Sequence, residues 1–123
     1  MPTVLLQYQD DNDIGMRILL NTLADSLPKI VAEQMDIPDR ALHDGGVSEK
    51  EIIFDAQPYS KFARNTNGLQ ITIRAHCFED RLARIDQIAN IIKLDIIAAL
   101  RGIEHPHKIA VEVDLVDMGY DTT

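Results

Sequence analysis

The chain has a single cysteine, Cys77, and no tryptophan among its 123 residues. One cysteine excludes an internal disulfide framework and a metal site built from clustered cysteines. Aromatic residues make up only 5% of the chain, and they do not occupy the paired strand positions on which RNA-recognition sheets stack bases. The composition therefore argues against a disulfide-rich scaffold and against an RNA-recognition module.

Basic residues are also scarce, with 12 Lys and Arg against 20 Asp and Glu and a formal net charge of -8. The cations are spread along the chain and form no cluster. An acidic protein without a basic patch repels a phosphate backbone. We therefore expect no nucleic-acid partner.

Long apolar runs are absent, and none approaches the roughly 20 residues that a membrane helix requires. The amino terminus has no basic stretch followed by an apolar run, which is the pattern of a secretory signal. These absences predict a cytoplasmic protein with no membrane partner. Hydrophobic residues form 46% of the chain, which suffices for a core at this length. We expect a single domain over residues 1–123.

Hydrophobic periodicity predicts the element order β-α-β-β-α-β. Alternating apolar residues favour strands, and apolar residues three or four apart favour helices. The helix over 14–34 contains Pro28, which should kink or divide it, with Ser26 capping the second piece. The predicted strands cover 3–8, 51–56, 69–78 and 109–115, and the predicted helices cover 14–34 and 79–101.

This order predicts an α/β (α+β) fold made of two β-α-β halves, with a four-stranded sheet and two helices on one face. A ferredoxin-like sheet has the same element order, so both sheet orders stay open. The face without helices needs a cover, and self-association would supply one. We expect Ile73, Ile85, Ile92 and Val113 to be buried together between the sheet and the second helix.

Pro2 stands at the head of the first strand. Met1 before such a small residue is normally removed, which would leave Pro2 with a free secondary amine. An α-amino group titrates near pH ~8, and partial burial lowers that value because it disfavours the charged form. Pro2 is therefore a candidate general base. A proline at position 2 is also common without any role, and an attached Met1 would make Pro2 an amide.

Arg74 and His76 share the more polar face of the third strand. Arg74 could hold a substrate carboxylate in a bidentate contact, or it could pair across strands with Glu112 or Asp114. His76 could donate a proton or a hydrogen bond, or it could serve the structure alone.

Metal and phosphate sites find little support in the sequence. His105 and His107 could bind a metal in principle, but no third ligand stands at a telling spacing. The pair Gly45-Gly46 lacks the helix that follows a phosphate loop, so it predicts a turn. We expect no metal and no cofactor.

The start Met1-Pro2 before a strand, together with the doubled β-α-β order, resembles the tautomerase superfamily. Local patterns are most similar to its 5-carboxymethyl-2-hydroxymuconate isomerase family. These patterns are the Gly-Gly-Val step at 45–47, the strand LQITIR at 69–74 and the acidic closing strand AVEVDLVD at 110–117.

The resemblance implies that Pro2 moves a proton between carbons of an unsaturated keto acid, that arginines bind the substrate carboxylates, and that the protein is a homotrimer. The sequence departs from the family at Ser48, where the family places an arginine. The family's second arginine falls near 78–81, where only Arg81 could substitute. Otherwise the binding cation has moved, to Arg74, Lys61 or Arg64, or the activity differs or is lost.

Two functions therefore remain open. The first is a keto-enol tautomerase for a small unsaturated or aromatic keto acid, with Pro2 as catalytic base and Arg74, Arg81 and His76 binding the substrate. The second is a non-catalytic homo-oligomeric domain for small-ligand binding or assembly, with a tautomerase-like or ferredoxin-like fold. A free Pro2 amine favours the first function, and a retained Met1 favours the second.

Overall fold

A computed structural model describes residues 2–9, 14–38, 40, 45–103 and 108–116. The element order β-α-β-β-α-β predicted from periodicity is confirmed, with a turn of 3-10 helix added at Glu49–Glu51 and the second helix divided in two. The strands and helices are β1 Thr3–Tyr8, α1 Ile14–Met35, β2 Ile53–Pro58, β3 Leu69–His76, α2 Glu79–Ala83, α3 Ile85–Ala99 and β4 Ile109–Val116.

The four strands form one mixed sheet in the order β2-β1-β3-β4. Strands β1 and β2 are parallel, β3 and β4 are parallel, and the two pairs meet antiparallel at β1 and β3. A ferredoxin-like split arrangement would separate the two strands that a helix joins. Here each helix-connected pair is adjacent, so the predicted doubled β-α-β fold is confirmed.

The core lies between the helices and one face of the sheet. Alternate residues of the central strands supply the sheet side, and Val4, Leu6, Ile71 and Ile73 are at most 2% exposed. Such alternation is what a strand with one buried face requires. The helix side is formed by a fully buried stripe on each long helix: Leu23, Leu27, Val31 and Met35 on α1, and Ile88, Ile92 and Ile96 on α3.

The expected core is partly correct. Ile73 and Ile92 are fully buried, and Val113 is partly buried against the same cluster. Ile85 is only half-buried, and Leu82, one turn before it in the predicted helix, is 56% exposed. The reason is a break at Arg84 between α2 and α3. Residues before and after the break belong to different helices, so one helical periodicity cannot span them.

Pro28 does not divide α1, which runs unbroken for 22 residues. The prediction of two pieces with Ser26 as a cap was therefore wrong. The hydroxyl of Ser26 instead donates to the carbonyl oxygen of Thr22, one turn earlier, at 2.7 Å. Thr22 makes the same kind of bond to the carbonyl of Ile18 at 2.8 Å. Burial of the apolar stripe on both sides of Pro28 holds the helix together despite the missing N–H.

The opposite face of the sheet is free of the described helices, and we call it the open face. Its cross-strand rows follow from the register, for example Ile53, Thr3, Arg74 and Asp114. Polar groups dominate it, and Ile53, at 55% exposed, is its largest exposed apolar side chain among the described residues. This composition weakens the expectation that apolar surface on this face demands a cover.

Candidate functional site

Pro2 lies at one end of the sheet, just before β1 begins. The residue is buried, and its carbonyl oxygen accepts a hydrogen bond from the backbone N–H of Ile53 at 3.3 Å. The next residue, Thr3, pairs with Arg74 of the antiparallel strand β3. Because β3 ends where β1 begins, the antiparallel pairing brings the last residues of β3 to Pro2. Alternation along β1 puts the Pro2 ring on the helix side of the sheet, together with Val4.

Arg74 projects from the open face near this end. Its Nε atom is 3.7 Å from Oδ2 of Asp114, which pairs with Arg74 in the register of β3 and β4. The side chains are 62% and 47% exposed. The cross-strand ion pair predicted as one alternative therefore forms. A 3.7 Å separation is longer than a charge-assisted hydrogen bond, so Asp114 holds the guanidinium weakly and another carboxylate can take its place.

His76 is the last residue of β3, and its ring is fixed by an aromatic neighbour. The imidazole packs edge-on against Phe78, with ring centroids 4.6 Å apart and an interplanar angle of 64°. The guanidinium carbon of Arg81 lies 5.0 Å from the centroid of the same Phe78 ring. Phe78 therefore lies between two of the predicted site residues. Edge-to-face and cation–π contacts of this kind fix the ring orientation.

Arg81 is held by backbone oxygens on three different segments. Its Nε donates to Met35 at 3.0 Å, one Nη donates to His76 at 3.0 Å, and the other Nη donates to Gly45 at 3.2 Å. The side chain is only 2% exposed. Burial lowers the pKa of Arg81, the nearby charge of Arg84 lowers it further, and Asp36 and Asp80 oppose the shift. Because Met35 ends α1, the cation also meets the negative end of that helix dipole.

This arrangement makes Arg81 a structural cross-link. Its guanidinium joins the end of β3, next to it in the chain, to the end of α1 and the turn at Gly45, which are 46 and 36 residues away. In this conformation it does not present its charge to solvent. Substrate binding by Arg81 stays a prediction. The candidate site lies beside the end of β3, which Arg81 supports.

The turn at Gly45 depends on glycine. Gly45 has a φ of +112°, a backbone conformation that glycine adopts without strain. A Cβ atom there would lie 2.6 Å from Cδ1 of Ile37. The Gly45 carbonyl also accepts the N–H of Ile37 at 3.0 Å, and a carboxylate oxygen of Asp36 accepts the N–H of Val47 at 2.7 Å. The Gly-Gly pair thus forms the predicted turn, and the carbonyl oxygen of Gly45 accepts a hydrogen bond from Arg81.

Ser48, at the position where the resembled family places an arginine, acts as a helix cap. Its hydroxyl accepts the N–H of Lys50 at 3.4 Å, and Glu51 reaches back to the N–H of Ser48 at 3.3 Å. This is a capping box on the 3-10 turn that leads into β2.

The alternative cations Lys61 and Arg64 lie elsewhere. Their loop begins where the N–H of Tyr59 bonds to the carbonyl of Tyr8, the last residue of β1. Six residues of strand separate that end from Pro2, a span of roughly 20 Å. Within one chain, neither Lys61 nor Arg64 joins the group at Pro2.

Other sequence candidates fall outside this group. His105 and His107 lie outside the described residues. Cys77 is half-buried, and its N–H donates to the carbonyl of Val116. Over the described part of the chain, no group of three His, Cys, Asp or Glu side chains could hold a metal ion. The helices described are each too short or too polar to cross a membrane.

Sequence reasoning missed Phe78 and the role of the Gly45 carbonyl. Phe78 could have been suspected, because it is one of only three phenylalanines and stands two residues after His76. The Gly45 contact had no local signal, since it spans 36 residues of sequence.

The doubled β-α-β sheet with helices on one face is the tautomerase-like α+β fold. By sequence, the chain matches neither a described protein family nor any curated protein. Comparison of structures does find neighbours, and they include members of the tautomerase superfamily. The resemblance inferred from the sequence is thereby confirmed at the level of fold.

Three solved structures illustrate the likeness. A 5-carboxymethyl-2-hydroxymuconate delta-isomerase has a TM-score of 0.60 and 16% identity, over 100% of this chain and 87% of that one. A fused 4-OT, described as a symmetric trimer, has a TM-score of 0.57 and 12% identity, over 96% and 90%. MIF2 of Leishmania major has a TM-score of 0.53 and 13% identity, over 100% and 96%. At such low identity these matches establish the fold alone.

Proposed function

We propose that the protein is a keto-enol isomerase that acts on a small unsaturated or aromatic keto acid. Pro2, freed by removal of Met1, takes a proton from a carbon next to the keto group and returns it to another position. In the first step a C–H bond breaks and an N–H bond forms on Pro2, which leaves an enolate. In the second step that N–H bond breaks and the proton goes to another carbon or to the enolate oxygen. The observation that carries the proposal is the register of β1 and β3, which brings Pro2, on the helix side, and Arg74 and His76, on the open face, to the same end of the sheet. A substrate has to span this end of the sheet to meet both.

The other groups at this strand end have separate roles. Arg74 holds the substrate carboxylate, and His76, oriented by Phe78, donates a hydrogen bond to the developing enol oxygen. Arg81 supports the site by fixing the end of β3. Its donors are engaged by carbonyls, so we assign substrate carboxylate binding to Arg74 first. No metal or other cofactor is part of the proposal.

Pro2 is buried at the start of β1, and its use as a base requires removal of Met1, because only then is its nitrogen an amine. The test uses untagged protein whose intact mass shows that Met1 is removed. Ketonisation of phenylpyruvate should be measurable, and Pro2→Ala should reduce kcat/KM by about 10²- to 10⁴-fold, the usual worth of a general base. Thr3→Ser, a conservative change beside Pro2, serves as the control and should retain most of the rate.

Arg74→Ala should mainly raise KM, since its proposed role is to bind a carboxylate. Equal rates for the parent and Pro2→Ala would remove Pro2 from the mechanism. An intact mass that includes Met1 would show that the Pro2 nitrogen is an amide, which would rule out its use as a base.

We further propose that the protein is a cytoplasmic homotrimer. Support comes from the fused 4-OT neighbour, which is described as a symmetric trimer, and from the two strands at the sheet edges, β2 and β4, each with one unpaired side in the described chain. Light scattering at micromolar concentration should give three times the 13.8 kDa chain mass. A mass of one chain would contradict the trimer.

A non-catalytic domain for ligand binding or assembly is the second candidate. The capping role of Ser48 and the carbonyl contacts of Arg81 favour it, because neither of the two positions implied by the resemblance offers a free guanidinium. Absence of turnover on keto acids, with ligand binding retained, would select this function.

A further inference from the structure

The strands carry an unbalanced set of charges around Arg74. Arg74 is the one Lys or Arg within the four strands, and the strand residues include three carboxylates, Asp55, Glu112 and Asp114. The flanking core residues Ile73, Phe54, Val111 and Val113 turn toward the helices, so by alternation all four charged side chains belong to the open face. One cation against three anions gives this face a formal charge of -2.

The carboxylates differ in their distance from Arg74. Asp114 is the direct register partner and forms the 3.7 Å ion pair. Glu112 pairs with Thr72 one row away, and Asp55 faces Leu5 in that same row. Diagonal neighbours on adjacent strands are about 7–8 Å apart, which is within the range of charge repulsion. Any anion bound by Arg74 therefore displaces Asp114 and meets Glu112 nearby.

From this geometry we infer that the site selects substrates with a single carboxylate and rejects dicarboxylates, and that Asp114 sets this selectivity as an internal competitor for Arg74. The inference rests on the proposed function for the identity of the site. A single substrate carboxylate replaces Asp114 on the guanidinium, and the displaced carboxylate returns to water because it is already 47% exposed. A second carboxylate has no further cation among the described strand residues and adds only repulsion.

Exposed ion pairs are weak, so the competition is modest in size. Removing it in Asp114→Asn should lower KM for phenylpyruvate by about two- to fivefold, with kcat unchanged. Glu112→Gln is the matched control, since it makes the same charge change on the same strand and face without touching Arg74. Its effect on the monocarboxylate should be smaller than that of Asp114→Asn.

Binding can be measured without turnover. Phenylacetate and phenylmalonate are unreactive probes that share the aromatic ring and carry one and two carboxylates. Titration followed by NMR should show that the parent binds phenylacetate more tightly, that Asp114→Asn tightens both probes, and that Arg74→Ala abolishes the preference.

Tighter binding of phenylmalonate by the parent, or equal effects of Asp114→Asn and Glu112→Gln on phenylacetate, would overturn the inference. If neither phenylacetate nor phenylmalonate bound to the parent or to Asp114→Asn, the inference would also be overturned. Absence of turnover would not by itself overturn the inference. If the probes bound in the predicted pattern but no keto acid were turned over, only the proposed isomerase function would be contradicted.

Discussion

The two β-α-β halves share an element order and differ in how they are held. In the first half, α1 is one helix of 22 residues that continues through Pro28, and its strand β2 has no fully buried residue. In the second half, the helical segment breaks at Arg84 into pieces of 5 and 15 residues, yet strand β3 buries every second residue from Leu69 to Ala75. Tight packing of a strand therefore does not require an unbroken helix after it.

The difference is explained by position in the sheet and by one side chain. Strand β3 is central, whereas β2 lies at an edge, so β3 has neighbours on both sides. The break at Arg84 puts Arg81 on a short helix of its own, from which it reaches the end of α1 and the turn at Gly45. The irregular half thus supplies the cross-link that ties the two halves together.

The largest expected effect concerns the core of the second half. Ile92→Ala removes a fully buried side chain from α3 and should lower the free energy of unfolding by about 2–5 kcal/mol. The matched control is Leu94→Ala on the same helix, where the side chain is 56% exposed, and its effect should stay below about 0.5 kcal/mol. Urea denaturation of both variants gives the comparison, and similar losses would show that the helix face is assigned wrongly.

The next effect tests the cross-link between the halves. Arg81→Met leaves the carbonyls of Met35 and His76 without the donor seen here, and should cost about 2–4 kcal/mol. Arg81→Lys should recover little, because an ammonium cannot reproduce three directed bonds from a planar fork. Arg84→Ala, which breaks a partly exposed pair with Asp80, should cost less than about 1 kcal/mol.

If Arg81→Met and Arg84→Ala lowered the free energy of unfolding equally in the same denaturation experiment, the bonds of Arg81 would contribute no more to stability than a partly exposed ion pair. Hydrogen exchange adds a second readout. Amides at the end of α1 and around Gly45 should lose protection in Arg81→Met, while those of the central strands keep it.

Much of the fold could be predicted because it depends on local periodicity. The alternation at Leu69, Ile71 and Ile73 identified β3, and the same alternation assigned Arg74 and His76 to one face. The start of β2 was predicted two residues early, at 51 instead of 53, because Ser48 caps a 3-10 turn that takes up Glu49–Glu51.

The features of the fold and the site that could not be predicted depend on contacts between residues that are distant in sequence. Pro2 lies beside the end of β3 because β1 and β3 pair antiparallel, and these two strands are far apart in sequence. The element order also left open where β2 and β4 lie in the sheet, which is settled by contacts between strands. The burial of Arg81 follows from oxygens 46 and 36 residues away. No window of sequence contains both ends of such a contact, so a charged residue near position 80 looked like a surface or substrate-binding residue.

A smaller effect, of opposite sign, is expected in the first half. Pro28→Ala supplies the missing N–H inside α1 and removes the ring from the preceding turn, so it should stabilise the protein by about 1–2 kcal/mol. The unfolded chain gains some freedom when proline is lost, which reduces the benefit. Thermal unfolding should show a higher Tm for Pro28→Ala and no change for Lys29→Ala, its exposed neighbour. A lower Tm would mean that α1 is shaped around the proline.

The smallest effect tests whether the entry to the edge strand β2 is held locally. Ser48→Ala removes the side-chain oxygen that caps the turn at Glu49–Glu51, and caps of this kind are worth about 0.5–2 kcal/mol. The capping bonds here are long, at 3.4 and 3.3 Å, so we expect about 0.5–1 kcal/mol from chemical denaturation. Ser48→Thr keeps the oxygen and should restore most of the loss. If Ser48→Ala instead cost as much as Arg81→Met, β2 would depend on its cap as strongly as the two halves depend on their cross-link, and the contrast between local and long-range support would fail.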